Sequence, residues 1–123
     1  MSTNTNLLSK VSVIVLGVSD VAKSVAFYRD SLGLEFKGQH ETLAFFSVAD
    51  VTLMLNGGLR RGTGPLAGAT EVVFSVAGVT AAHEALKQRG CHFVNQPREV
   101  TPGSWACTLA DPDGHYLSIL GPK

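Results

Sequence analysis

The sequence predicts an α+β fold of two βαβββ modules, whose mixed sheets enclose a cleft. Each half of the 123-residue chain runs through a β-branched strand, an amphipathic helix and three further strand-like segments. The halves also align with each other, residues 13–18 on residues 71–76 at an offset of 58, and residues 52–55 on residues 116–119 at an offset of 64. Because an internal repeat points to an architecture directly, we expect two paired modules.

Length and composition favour a single domain over residues 1–123. The chain is 45% hydrophobic and 16% charged, which excludes a disordered chain and supplies a core of useful size. We expect module one at about residues 9–57, module two at about residues 70–121, and a glycine-rich linker at residues 57–69.

The elements of module one follow from local signals. A β-branched run at residues 11–18 predicts the first strand. Ser19 or Asp20 can cap the next helix, and Gly33 stands where a helix C-cap glycine belongs. Apolar residues at helical spacing lie between these caps: Val21, Val25, Phe27, Tyr28 and Leu32. Three further strands are predicted at residues 34–37, 43–48 and 51–55.

Module two repeats this order. A strand at residues 71–76 precedes a helix at about residues 80–89, which ends before Gly90. Proline and glycine at residues 97 and 102–103 predict breaks in the chain. The remaining segments are strands at residues 91–94, 105–109 and 115–120, with a tight Asp-Pro-Asp-Gly turn at residues 111–114.

Charge and cysteine content limit the partners and the compartment. Ten Lys and Arg balance ten Asp and Glu, so no basic excess attracts nucleic acid or an anionic membrane, and a small molecule is the expected partner. The apolar run at residues 11–18 is too short to span a bilayer, which takes about 20 residues. Cys91 and Cys107 form no CxxC motif or disulfide framework, which favours the reducing cytoplasm.

Spaced motifs in both modules carry a family resemblance. They are Val18-Ser19-Asp20-Val21 with Ser24, Phe27-Tyr28-Arg29, Leu32-Gly33-Leu34, residues 85–90, and Leu109-Ala110-Asp111-Pro112-Asp113-Gly114-His115. Over about residues 9–121 the chain resembles the vicinal oxygen chelate superfamily, which includes glyoxalase I, bleomycin resistance proteins, fosfomycin resistance enzymes and extradiol dioxygenases. The resemblance implies this family's fold. It also implies a homodimer, since small members often build their clefts across subunits.

The resemblance implies where a metal would be held. Enzymes of this family bind a divalent metal through one side chain from the first and last strand of each module. The matching positions here are Val13, Met54, Glu71 and Ser118, of which only Glu71 is a good ligand. The four histidines lie at none of these positions: His40 in a strand connection, His83 on the second helix, His92, and His115 after the turn. We therefore expect no metal and no cofactor.

The side chains that share a face with these four positions predict a largely apolar pocket. The candidate ligand-binding residues are Val13, Val15, Thr52, Met54, Asn56, Glu71, Val73, Tyr116 and Ser118. Such a lining, with a few polar groups, is typical of a small-molecule site. Trp105 and either Phe45 or Phe46 are candidates for aromatic walls of the pocket. Their facing is left open, because a shift of one residue in register turns each side chain to the other face of its strand.

Glu71 is the candidate catalytic residue. It could bind a cation or an amide of a ligand, or act as a base. In the alternative interpretation it starts a strand, partly hydrated, and pairs with Arg60, Arg61 or another arginine.

Three hypotheses for function follow. The first is a metal-free binding protein that sequesters a small, partly apolar molecule. The second is a lyase, isomerase or dioxygenase, either with unusual metal ligands or with Glu71 as base. The third is an interaction module that no longer uses its pocket, which a cleft filled by side chains would favour. Whether the chain is an enzyme stays open at this point.

Overall fold

The computed structural model describes residues 7, 8 and 10–123, and contains nine strands and two α-helices within them. Module one contains β1 (Val13–Gly17), α1 (Val21–Ala26) with a π-helical turn at Phe27–Ser31, β2 (Glu35–His40), β3 (Leu43–Val48) and β4 (Val51–Asn56). Module two contains β5 (Glu71–Ser75), α2 (Val79–Gln88), β6 (His92–Phe93), β7 (Arg98–Thr101), β8 (Ser104–Ala110) and β9 (Tyr116–Gly121).

Each module forms one mixed sheet, and the two sheets share a topology. The strand order is β1-β4-β3-β2 in the first sheet and β5-β9-β8-β6 in the second, where β7 also pairs with β8. In each sheet the first and last strands of the module are parallel, with Val13 opposite Thr52 and Glu71 opposite Tyr116, and the other pairs are antiparallel. The predicted α+β fold with mixed sheets is confirmed.

Local chemistry sets the ends of the helices. Of the two candidate caps for α1, Asp20 is the one used, because its carboxylate accepts a hydrogen bond from the Lys23 backbone N–H. Gly33 has a φ of 75° and Gly90 a φ of 87°, so each glycine ends its helical segment in the left-handed conformation that other residues avoid.

The prediction missed one strand and misplaced one histidine. β7 lies between Pro97 and Pro102, where the sequence predicted only breaks. Pro97 comes before the strand, so its missing N–H is not needed in the ladder. Gly103, with a φ of 80°, makes the turn into β8. His40 was expected in a strand connection but is the last residue of β2.

One face of each sheet packs into a core that both modules share. Tyr28 and Phe46 from module one, and Leu109 and Leu117 from module two, are at most 1% exposed and belong to one contiguous cluster. The rings of Tyr28 and Phe46 lie 5.9 Å apart. Both cysteines are buried and unpaired, so the fold uses no disulfide.

Polar contacts join the 111–114 turn of module two to module one. The backbone N–H of Ser19 donates to the Asp113 carboxylate at 3.0 Å, just ahead of α1. The His115 Nε2 atom lies 2.7 Å from the Gly17 carbonyl oxygen, which accepts a hydrogen bond from it. The two modules are therefore connected by polar groups as well as by apolar packing. No helix in the described part of the chain has the length and apolar character needed to cross a bilayer.

Candidate functional site

The predicted ligand-binding residues lie on the sheet faces that point away from the core. Along β1 and β4 the helix-side residues Leu16, Leu53 and Leu55 are buried, and the alternating residues between them face the other way. The register gathers the predicted residues into two groups, one on each sheet: Val13, Val15, Thr52, Met54 and Asn56 on the first, and Glu71, Val73, Tyr116 and Ser118 on the second.

A chain of hydrogen bonds orients the Glu71 carboxylate. The Ser118 hydroxyl donates to the Glu71 Oε2 atom at 3.0 Å and lies 2.8 Å from the Thr108 hydroxyl. An ionised carboxylate can only accept hydrogen bonds, so the single hydroxyl proton of Ser118 is donated to Glu71. The Thr108 hydroxyl must then be the donor in its hydrogen bond with Ser118. Ser118 is only 5% exposed, whereas Glu71 itself is exposed to solvent.

The prediction overlooked Thr108, although the alternation in β8 carries the signal. Cys107 and Leu109 face the core, so Thr108 between them must face the same way as Ser118. The alternative in which Glu71 pairs with an arginine is not what the structure contains, since Arg61 donates instead to the Ala67 carbonyl oxygen at 2.9 Å. No ion pair in the described residues includes Glu71.

Large apolar side chains on the outward faces of both sheets remain in contact with solvent. Val73 is 48% exposed, Tyr116 52% and Leu120 37%, and Val13 on the first sheet is 44% exposed. Side chains of this size at strand positions normally face a core. An exposed apolar group beside a fixed carboxylate marks a surface that suits a ligand or a partner.

An open cleft of about 890 Å³ leads to Glu71. Glu71 and Tyr116 form one wall, the linker forms the other, and Gly17 at the end of β1 contributes from module one. The linker packs closely there, since a Cβ atom at Gly17 would lie 2.9 Å from the Leu59 carbonyl oxygen. Asp113 and His115 also line this cleft. Sequence analysis did not place them there, although His115 directly precedes Tyr116 in the chain.

The donor atoms at the four family metal positions do not fit a divalent metal. Val13 offers no donor, Met54 offers a soft thioether, and the Ser118 hydroxyl already donates to Glu71. A single carboxylate cannot hold Zn²⁺, which takes about three or four protein ligands. Within residues 7, 8 and 10–123, no three His, Cys, Asp or Glu side chains converge as a replacement set.

Two of the proposed aromatic walls face the core instead. Phe46 is fully buried against Tyr28 and Phe36, so Phe45, which stands opposite Met54, is the phenylalanine on the outward face. Trp105 packs against the buried cluster of Cys107 and Ile119. The expectation for Trp105 was wrong because Trp105 shares a face of β8 with Cys107 and Leu109, which are both buried in the core.

Comparisons with known proteins agree with this architecture. The family model described as Glyoxalase/Bleomycin resistance protein/Dioxygenase superfamily matches residues 10–119. Metallothiol transferase FosB proteins from Staphylococcus haemolyticus and Staphylococcus epidermidis are each 38% identical over 50 residues, a match that covers 41% of this chain and 36% of each relative. The chain thus matches about a third of the length of those curated relatives.

Two crystal structures illustrate the similarity of fold. Lactoylglutathione lyase from Agrobacterium tumefaciens superposes with a TM-score of 0.73 at 21% identity, covering 92% of this chain and 93% of the other. TnmS3, described as an antibiotic binding protein from Streptomyces sp. CB03234, superposes with a TM-score of 0.76 at 22% identity, covering 95% and 98%. At such identities the likeness concerns the fold alone.

Proposed function

The chain belongs to the glyoxalase/bleomycin resistance protein/dioxygenase superfamily, and from this premise we propose that it binds and sequesters a small molecule without a metal. The observation that carries the proposal is the Glu71 carboxylate, held by Ser118 at the edge of exposed apolar side chains. The poor donor set at the family metal positions supports the metal-free part.

The proposed ligand carries a cationic or amide group on a partly apolar body. Two carboxylates, Glu71 and Asp113, line the open cleft against one guanidinium, that of Arg61, which also donates to the Ala67 carbonyl. The exposed ring of Tyr116 offers an apolar surface and a face that attracts cations. A likeness of fold to TnmS3, itself described as an antibiotic binding protein, is in keeping with this proposal.

A second copy of the chain is the proposed protein partner. Val13 and Val73 are nearly half exposed on the outward faces of the two sheets, and a second copy would cover such surfaces and narrow the cleft. We also propose that both modules act as one domain over residues 1–123, with the junction at residues 57–69. A cytoplasmic location is proposed because both buried cysteines are unpaired.

The alternative is an enzyme that uses Glu71 as a base, in a lyase, isomerase or dioxygenase role. The hydrogen-bonded chain from Thr108 through Ser118 favours it, because a catalytic base must be held in one orientation. The partial match to metallothiol transferases makes a metal-dependent transferase a further form of this alternative. The open cleft argues against an interaction module with a filled pocket.

A thermal-shift screen tests the proposal. Neutral and cationic drug-like compounds are screened against the wild-type protein and Glu71→Gln in parallel, each with and without EDTA. We expect hits that raise the melting temperature with EDTA present and that lose most of their effect in Glu71→Gln. Hits that disappear with EDTA would contradict the metal-free proposal and favour the metal-dependent alternative.

A further inference from the structure

A second cavity, of about 340 Å³, lies on the opposite side of the sheets from the candidate site. Leu32, Leu34 and Val48 of module one line one side, and Phe74, Leu86 and Leu109 of module two line another. Phe74 lies on the face of β5 opposite Glu71 and Val73, so this cavity borders the helix-packed face rather than the outward face, and Ser75 lines it at the end of the strand.

The apolar side chains that line this cavity favour binding of an uncharged, apolar part of a ligand. Ser75 is the one polar residue among the described residues that line the cavity. A bound water needs about two to four polar partners, which this lining does not provide. Leu32, Leu34 and Leu86 are partly exposed, so a ligand can reach the cavity from the surface.

A positive charge stands beside this entrance. The Arg89 guanidinium donates to the Ser31 carbonyl oxygen at 3.3 Å and approaches Gly33, so it flanks Leu32 and Leu34. It also follows Leu86 by one helical turn, and Leu86 lines the cavity. Arg89 is exposed, and no carboxylate in the described residues lies within ion-pair distance of it.

We propose that this cavity binds the alkyl chain of an aliphatic carboxylate, whose charged end pairs with Arg89. The apolar lining accounts for the alkyl chain. The exposed Arg89 guanidinium, which has no carboxylate partner among the described residues, accounts for the carboxylate. The site does not depend on Glu71 or on the proposed function, because it uses the other face of the sheet.

Calorimetric titration of the wild-type chain with butyrate, hexanoate and octanoate tests the site. We expect affinity to rise about fourfold for each added methylene until the cavity is full, as burial of CH₂ groups requires. Arg89→Gln should weaken octanoate binding by about threefold, the scale of an exposed ion pair, and leave octanol unaffected. Arg98→Gln, at an exposed arginine on β7, is the matched control and should leave the affinities for octanoate and octanol unchanged.

Filling the cavity provides the second test. Ala82 lines it from α2, so Ala82→Leu should abolish octanoate binding, whereas Glu71→Gln should leave it intact. If Ala82→Leu does not fold, nuclear Overhauser contacts from octanoate to the methyl groups of Leu86 and Leu109 in the wild-type protein replace it. Absence of octanoate binding to wild type, binding unchanged in folded Ala82→Leu, or contacts to other residues would each overturn the proposal.

Discussion

The Tyr28 hydroxyl donates a 2.7 Å hydrogen bond to the Asp111 carboxylate across 83 positions of sequence. Tyr28 is fully buried and Asp111 is 5% exposed. The other Asp111 oxygen accepts the backbone N–H groups of Asp113 and His115, so one carboxylate organises the turn and anchors it to module one. Burial, with the nearby Asp111 charge, raises the pKa of Tyr28 far above its usual value.

Tyr28→Phe should lower the free energy of unfolding by about 1–3 kcal/mol, because it leaves a buried carboxylate oxygen without its partner. Urea denaturation at neutral pH measures the effect. Tyr116→Phe, at a side chain 52% exposed, is the control and should change stability by less than about 0.5 kcal/mol. Equal stability of Tyr28→Phe and wild type would show that the bond does not hold the modules together.

The stability difference between wild type and Tyr28→Phe should shrink as the pH rises above about 10. The folded-state pKa of Tyr28 is raised, so above the unfolded-state pKa only the unfolded chain releases this proton. The contribution of the Tyr28 hydroxyl to the free energy of unfolding is fully present below that pH. Above it, this contribution falls by up to about 1.4 kcal/mol for each further pH unit. Urea midpoints of both proteins through the alkaline range test it, and a constant difference would contradict it.

Cys91 and Cys107 should react slowly with a thiol reagent in the folded protein. Burial raises the pKa of both thiols, and the thiolate is the reactive form. Labelling with a chromogenic disulfide near pH 8 should be much slower than for free cysteine, and both residues should react at once in urea. Rapid labelling of the folded chain would mean that the core around these residues opens readily.

Glu71→Gln should weaken ligands found in the thermal-shift screen by about tenfold or more, since the site loses a charge that was hydrogen-bonded and oriented. Stability should change by less than about 0.5 kcal/mol because the side chain is exposed. Glu84→Gln, which removes an exposed carboxylate on α2, is the matched control and should leave ligand affinity unchanged. Full affinity in Glu71→Gln would remove Glu71 from the site.

Ser118→Ala should weaken the same ligands less than Glu71→Gln does. The Ser118 hydroxyl orients the carboxylate but need not touch the ligand. Isothermal titration with the tightest ligand from the screen ranks the two variants. A larger loss in Ser118→Ala would place the hydroxyl, rather than the carboxylate, in direct contact with the ligand.

Alternation and turn chemistry made much of the fold predictable. The predicted strand at residues 43–48 has the bounds of β3, and Gly33 and Gly90 end the helices where expected. β7 was missed because its four residues are all exposed and lack an apolar pattern. The π-helical turn at Phe27–Ser31 was also not predicted, since its apolar spacing is that of an ordinary helix.

The candidate site was predictable only within each module. Strand alternation predicts that Glu71 shares a face with Val73, and Ser118 with Tyr116, whereas the register that sets Glu71 opposite Tyr116 is known only from the structure. The approach of His115 to Gly17 joins positions 98 apart and depends on how the modules pack, which local patterns do not encode. The same holds for Arg89 and Ser31, which lie 58 positions apart.

The most direct test of the metal-free proposal is calorimetric titration of the purified, EDTA-treated chain with Zn²⁺, Ni²⁺, Mn²⁺ and Fe²⁺. The donor set of Val13, Met54, Glu71 and Ser118 predicts no stoichiometric binding of any of these ions. Tight binding of one ion per chain would contradict the account, and would move the protein to the metal-dependent enzymes of its superfamily.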